Sequence, residues 1–266
     1  MRSPAAVVSA LALSLVLAAP AAAVDRGRPD GDRHPNVGLL AADPDGPAGA
    51  PPFFLCSGAV IAPDAFLTAA HCIEAIPGAT WSVTLEPGAP SRPVYDPGFL
   101  FADFPMAMRV ATATAREVRV HPDFAGGEGG AHDLAVLRFA PGTFAVAPVL
   151  LPRAGLLDDL AATLRERRFR LVGYGTDPEG RADAPRLRVR GFRQTATAPF
   201  GALTDLRLEL RRTATGGLCL GDSGSPQLLG PVAVSLLSSD GELCEAIVGH
   251  RLDTPAEMAF LRAATR

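Results

Sequence analysis

The sequence predicts an all-β fold, a barrel or sandwich, closed by a helix at the C-terminus. Three observations carry this reading. Short segments of period-two hydrophobicity recur along the chain. Glycine and proline together make up 52 of 266 residues, about a fifth, which suits a turn-rich β fold better than a helix bundle. Helix signals are few until Thr254-Pro255-Ala256-Glu257, which reads as a capping box with proline at the first helical position and predicts a helix through Met258, Phe260 and Leu261.

The strands follow in order. Trp81, Val83 and Leu85 alternate with Ser82 and Thr84, and Val118 and Val120 flank Arg119. Phe169 and Leu171 alternate with Arg168 and Arg170, and Leu187 and Val189 sit among arginines. Leu206, Leu208 and Leu210 alternate with charged residues. Each predicts a strand with one buried and one solvated face. The arginines of 165–193 read as such solvated faces, because the whole chain is mildly acidic, at net charge −3. Segment 156–166 has helical spacing. Segments 41–52 and 86–104 read as loops, and a glycine run, Gly126-Gly127-Glu128-Gly129-Gly130, precedes His132-Asp133.

The N-terminus reads as an export signal. Arg2 is followed by the apolar run centred on Leu11 to Leu17, then Pro20 and the small residues Ala21-Ala22-Ala23, which places a signal peptide at 1–23 and a mature chain at 24–266. The expectation is a secreted protein with no membrane association once the signal is removed. Oxidising export permits disulfides. Four cysteines allow three pairings, of which local pairing, Cys56 with Cys72 and Cys219 with Cys244, is the simplest. No C-x2-C pair is present, which argues against a zinc site. The charge balance gives no reason to expect a nucleic-acid partner.

Three segments carry chemistry: Thr68-Ala69-Ala70-His71-Cys72, His132-Asp133-Leu134-Ala135, and Cys219-Leu220-Gly221-Asp222-Ser223-Gly224-Ser225-Pro226. A serine hydroxyl attacks at neutral pH only when an imidazole takes its proton, and that imidazole is oriented by a carboxylate. In this order the segments supply such a base, carboxylate and nucleophile. They resemble the trypsin/chymotrypsin family of serine peptidases. Val120-His121-Pro122-Asp123-Phe124, Leu171-Val172-Gly173-Tyr174-Gly175 and Cys56-Ser57-Gly58-Ala59-Val60-Ile61 are similar to further segments of that family, so the likeness spans the chain from about His34 onward.

The resemblance implies two packed six-stranded antiparallel β-barrels, about 34–140 and 165–252, with a C-terminal helix at about 255–264. It implies His71 as general base, Asp133 as its orienting carboxylate, Ser223 as nucleophile, and the N–H groups of Gly221 and Ser223 as an oxyanion hole. The expected activity is peptide hydrolysis through an acyl-enzyme, on a polypeptide substrate, by a monomer without cofactor or metal. Gly217 stands where family members that cut after Arg or Lys carry an aspartate, so that preference is not expected. Leu218, Ser235, Leu237 and Ile247 are expected to line the substrate pocket. Cleavage after Ala23 would expose Val24, whose amine is expected to pair with Asp222.

The chain also departs from the family. Ser225 replaces a second glycine, the segment between His71 and Asp133 is long, and no Ile-Val-Gly-Gly start is present. The rival reading is a catalytically silent homologue that acts as a secreted binding protein. An α/β-hydrolase built on Ser223, Asp240 and His250 lacks its G-x-S-x-G elbow. His34, His121 and His132 carry no assigned chemistry.

Overall fold

The computed structural model describes residues 27–43, 53–88, 94–95, 112–181, 184–189, 192–214, 216–241 and 244–266. The signal segment 1–23, Val24 and most of loop 86–104 lie outside the described residues.

In chain order the strands are β1 (Arg28–Pro29), β2 (Val37–Asp43), β3 (Phe53–Ala62), β4 (Ala65–Thr68), β5 (Thr80–Thr84), β6 (Val94–Tyr95), β7 (Ala113–Thr114), β8 (Glu117–Val120) and β9 (Ala135–Arg138). They continue as β10 (Arg168–Gly173), β11 (Thr176–Arg181), β12 (Ala184–Val189), β13 (Gln194–Leu203), β14 (Arg207–Leu210), β15 (Pro226–Leu229), β16 (Val232–Ser239) and β17 (Val248–Arg251). The helices are α1 (Ala70–Glu74), α2 (Leu156–Asp159) and α3 (Pro255–Ala264). A 3-10 turn, Ala161–Glu166, completes the expected helical stretch after α2.

The architecture is two β units with a closing helix, a trypsin-like two-barrel fold. In the C-terminal unit the order β13-β10-β15-β16-β17-β14 closes on itself through β13–β14, which makes a six-stranded antiparallel barrel with β1 added outside β13. The N-terminal unit is an antiparallel sheet in the order β7-β5-β2-β3-β4-β9-β8, with no ladder closing its two edges among the described residues. It is a half-barrel rather than the closed barrel expected. The short strand β6, inside the segment read as an aperiodic loop, adds to the β11–β12 hairpin.

Each unit has its own core. Leu40, Val60, Phe66, Trp81, Leu137 and Phe139 fill the first, and Phe169, Leu171, Leu208, Val234 and Leu237 the second. A third cluster, with Leu67, Val136, Val172, Leu236 and Leu261, joins residues of both units to α3. The period-two reading holds for β14, where Leu208 and Leu210 are buried between outward Arg207 and Glu209. It fails for β5, an inner strand between β2 and β7, where Ser82 and Thr84 are buried as well. It fails also for Val120, exposed at the end of the edge strand β8. α3 begins at the expected proline, and Thr254 Oγ1 accepts the Glu257 N–H. The box is only half formed, because the Glu257 side chain turns inward to two histidines.

Candidate active site

His71 is the second residue of α1, three positions after β4 ends. Cys72 follows it and bridges to Cys56 on β3, which ties this short helix to the sheet. Asp133, just before β9, is fully buried. Its Oδ1 accepts the His71 backbone N–H at 2.8 Å, and its Oδ2 accepts from His71 Nδ1 at 2.7 Å. Because the carboxylate only accepts, Nδ1 carries the ring proton. Nε2 is then the basic nitrogen, aimed away from Asp133, and its near neighbour Cys72 Sγ at 3.7 Å belongs to a bridge and has no proton to offer. A third donor completes Asp133: Ser238 Oγ, at the end of β16, lies 2.6 Å from Oδ2. Sequence reading passed over Ser238, which sits in a buried apolar strand with no local mark.

The segment Cys219–Ser225 is folded around Asp222. That side chain is buried, with Oδ1 accepting Gly175 N–H at 2.8 Å and Oδ2 accepting Cys219 N–H at 3.1 Å. A Cβ on Gly173 would lie 2.1 Å from Asp222 Oδ1 and one on Gly175 2.4 Å from its Cγ, so the Gly-Tyr-Gly segment is glycine because the carboxylate occupies that space. Gly224, at φ 79°, presses so close to Ser57 and Ala69 that a Cβ would lie 2.5 Å from Ser57 O and 2.8 Å from Ala69 N. Ser57 N donates to Ser223 O at 2.8 Å, and Ser57 Oγ donates to Gly221 O at 2.9 Å. These contacts seat the half-exposed Ser223 beside the Thr68-Ala69 step that leads into His71. In this structure Ser223 Oγ and His71 Nε2 form no hydrogen bond; such bonds are often long before substrate arrives.

The backbone amides of this segment divide into two groups. Those of Asp222, Gly224 and Ser225 donate to Cys219 O, Leu237 O and Asp222 O. Those of Gly221, at φ 94°, and Ser223 have no acceptor among the described residues. Two free N–H groups around a half-buried serine can bind a developing oxyanion.

The other predicted positions are placed as follows. Cys219 bridges Cys244, as expected. Ser225 has no positive φ, so its replacement of glycine does not strain the backbone, but its buried hydroxyl has no partner. Gly217 is buried. Leu218, Leu237 and Ile247, expected at the pocket wall, are buried in the core of the closed barrel, and buried Ser235 donates to Gln227 Oε1 at 2.5 Å. Asp240 follows the end of β16 and is half-buried. Burial first, and then the nearby Glu128, push its pKa up to about 7. Val24 lies outside the described residues. Asp222 abuts Gly173, whose strand partner Gln194 pairs in turn with Pro29 of β1.

A buried ion pair was also missed. Arg193 Nε donates to Asp30 Oδ2 at 2.9 Å, and its other nitrogens donate to Val37 O, Leu85 O, Gly31 O and the Tyr174 hydroxyl. Burial pushes the Tyr174 phenol up to about 12 despite the neighbouring guanidinium.

The comparisons with known proteins agree with this geometry. A family model described as Trypsin matches residues 46–247. No curated protein matches the chain by sequence. Among solved structures, "HL collagenase" superposes with a TM-score of 0.65 over 91% of this chain and 98% of that one, at 16% identity, a likeness of fold. The chain belongs to the trypsin family, a serine-type endopeptidase.

Proposed function

We propose that the chain is a secreted endopeptidase in which Ser223 attacks the scissile carbonyl. His71 takes the Ser223 proton on Nε2 and returns it to the leaving amine, and Asp133 holds the imidazole and stabilises its charged form. The free amides of Gly221 and Ser223 receive the oxyanion, each donor worth on the order of 10²–10³ in rate. Water then attacks the acyl-enzyme with His71 again as base, so no step needs a cofactor. The observation that carries the reading is the double grip of Asp133 on His71, which leaves Nε2 as the basic nitrogen.

The substrate is a polypeptide, and cutting after Arg or Lys is not its main preference. Gly217 offers no carboxylate. The N-terminal segment is read as a signal peptide whose removal at Ala23 lets Val24 approach Asp222. No described helix is long and apolar enough to cross a membrane.

A fluorophosphonate probe tests the function. The folded protein should be labelled, and Ser223→Ala should abolish the label. Folded wild type that stays unlabelled would instead favour the catalytically silent binding protein. N-terminal sequencing of exported protein tests cleavage at Ala23, and a peptide library cut mainly after Arg would overturn the side-chain preference.

A further inference from the structure

The turn that carries Asp133 is tight and strained. Leu134 N donates to His132 O at 2.8 Å across Asp133, which closes a three-residue turn. His132 has φ 55°, the left-handed region, and it is one of two non-glycine residues with positive φ among the described residues. That conformation costs roughly 1–3 kcal/mol and persists only where the surroundings impose it.

Three distant pieces of chain impose it. His132 Nδ1 donates to Glu257 Oε1 at 2.6 Å, and Glu257 is fully buried on α3. The same oxygen accepts from His250 Nε2, on β17, at 3.1 Å. On its other face the His132 ring stacks on His121, with centroids 4.7 Å apart and planes 12° apart, and His121 N donates to Leu134 O at 2.9 Å. Burial alone would raise the Glu257 pKa, but hydrogen bonds from His250 and His132 outweigh it and hold the group at about 2. Glu257 is therefore a constant anionic acceptor at neutral pH, and it serves the histidines rather than its own helix cap. The cluster does not read as a metal site. His121 Nδ1 accepts the Asp123 N–H at 3.2 Å, so the neutral ring carries its proton on the other nitrogen and offers no second lone pair.

We propose that Glu257 is a positioning residue for Asp133, acting from the C-terminal helix through His132. The proposal rests on the triad reading above. Untethering His132 frees the turn to relax, and Asp133 Oδ2 then drifts from His71 Nδ1. A misplacement of about 1 Å at a reacting centre can cost on the order of 10²-fold.

The test measures kcat, KM and melting temperature on a peptide that the wild type cleaves, with the full chain. Glu257→Ala is expected to lower kcat by about tenfold or more while KM stays within about twofold. Glu257→Gln, which keeps an acceptor for His132 Nδ1, should stay within about threefold of wild type. His132→Gly keeps a backbone that accepts positive φ but removes the tether, so it should lose kcat to the same degree, and adding Glu257→Ala to it should cost less than about twofold more. Should Glu257→Ala fail to fold, His132→Gly alone carries the test. The proposal is overturned if either variant loses melting temperature yet keeps kcat, or if the two losses add in full. A folded wild type that neither cleaves nor takes a fluorophosphonate label sinks the peptidase reading and this proposal together. A labelled wild type with unmoved variants sinks only this one.

Discussion

Ser238 donates its hydroxyl to Asp133 at 2.6 Å, onto the same oxygen that His71 Nδ1 engages at 2.7 Å. One carboxylate thus receives donors from both β units, His71 after β4 and Ser238 on β16. Hydrogen bonds to a charged group are worth about 1.5–3 kcal/mol. Ser238→Ala should therefore lower kcat by about 10- to 100-fold with KM little changed, as measured by steady-state peptide hydrolysis. A variant with wild-type kcat would show that two donors suffice.

Asp133→Asn tests the tautomer. An asparagine nitrogen facing His71 Nδ1 would favour a proton on Nε2, where it cannot accept from Ser223. The expected loss is on the order of 10⁴ in kcat, the size known for this change in serine peptidases with the same triad. Fluorophosphonate labelling should slow in proportion, while the circular dichroism spectrum stays that of wild type.

Local motifs and long-range pairings were not equally legible in the sequence. His71, Asp133 and Ser223 were readable because each sits in a contiguous segment whose neighbours also have fixed tasks. Gly173 and Gly175 make room for Asp222, Gly224 abuts Ser57, and Cys72 is bridged to Cys56. Ser238, Arg193 and Glu257 were missed or misread because their partners are far away in the chain. Arg193 stood in an arginine-rich stretch read as solvated, yet it is fully buried against a carboxylate 163 positions distant. Periodicity reports which face of a strand is apolar, and it cannot say which arginine finds a distant acid. The pocket positions came from the family resemblance alone. In this structure Leu237 and Ile247 pack into the core of the closed barrel.

Arg193→Ala should be among the most destabilising single changes in the chain. It leaves the buried Asp30 without its guanidinium and strips donors from three carbonyls and a phenol. Breaking a buried pair from one side costs about 3–5 kcal/mol. Arg193→Met with Asp30→Asn should recover much of that loss, because no bare charge remains. Burial alone would raise the Asp30 pKa, but hydrogen bonds from His34 and Arg193 outweigh it and lower the group overall. Its stabilisation is therefore complete above the ordinary aspartate range and is lost as pH falls through its folded value. Urea midpoints measured from pH 3 to 7 should show an acid-side loss that is absent in the double variant.

Ser225→Ala should stabilise the protein. The Ser225 hydroxyl is fully buried and unpartnered, and an orphaned polar group costs about 1–3 kcal/mol. Alanine keeps the Cβ and removes the oxygen. Ser225→Gly should gain less, since glycine adds freedom to the unfolded chain. Denaturant titrations in the Ser223→Ala background, where self-cleavage cannot interfere, give the order expected: Ala above Gly, with wild type lowest. A less stable Ala variant would show that the hydroxyl has a partner in solution.

Asp240 supplies a pH dependence of the opposite sign to that of Asp30. Burial and then Glu128 raise its folded pKa from the ordinary 3.8 to about 7. The folded protein therefore holds this proton more tightly than the unfolded chain. Near pH 3.8 and below, both states are protonated and the group contributes nothing. Between 3.8 and about 7 the unfolded chain ionises while the folded one resists, so stability declines as pH rises, and above about 7 the penalty is complete. Asp240→Asn removes the charge and should raise the urea midpoint at pH 8 while leaving it unchanged at pH 4. Equal midpoints for wild type and variant at pH 8 would place the Asp240 carboxylate in open water.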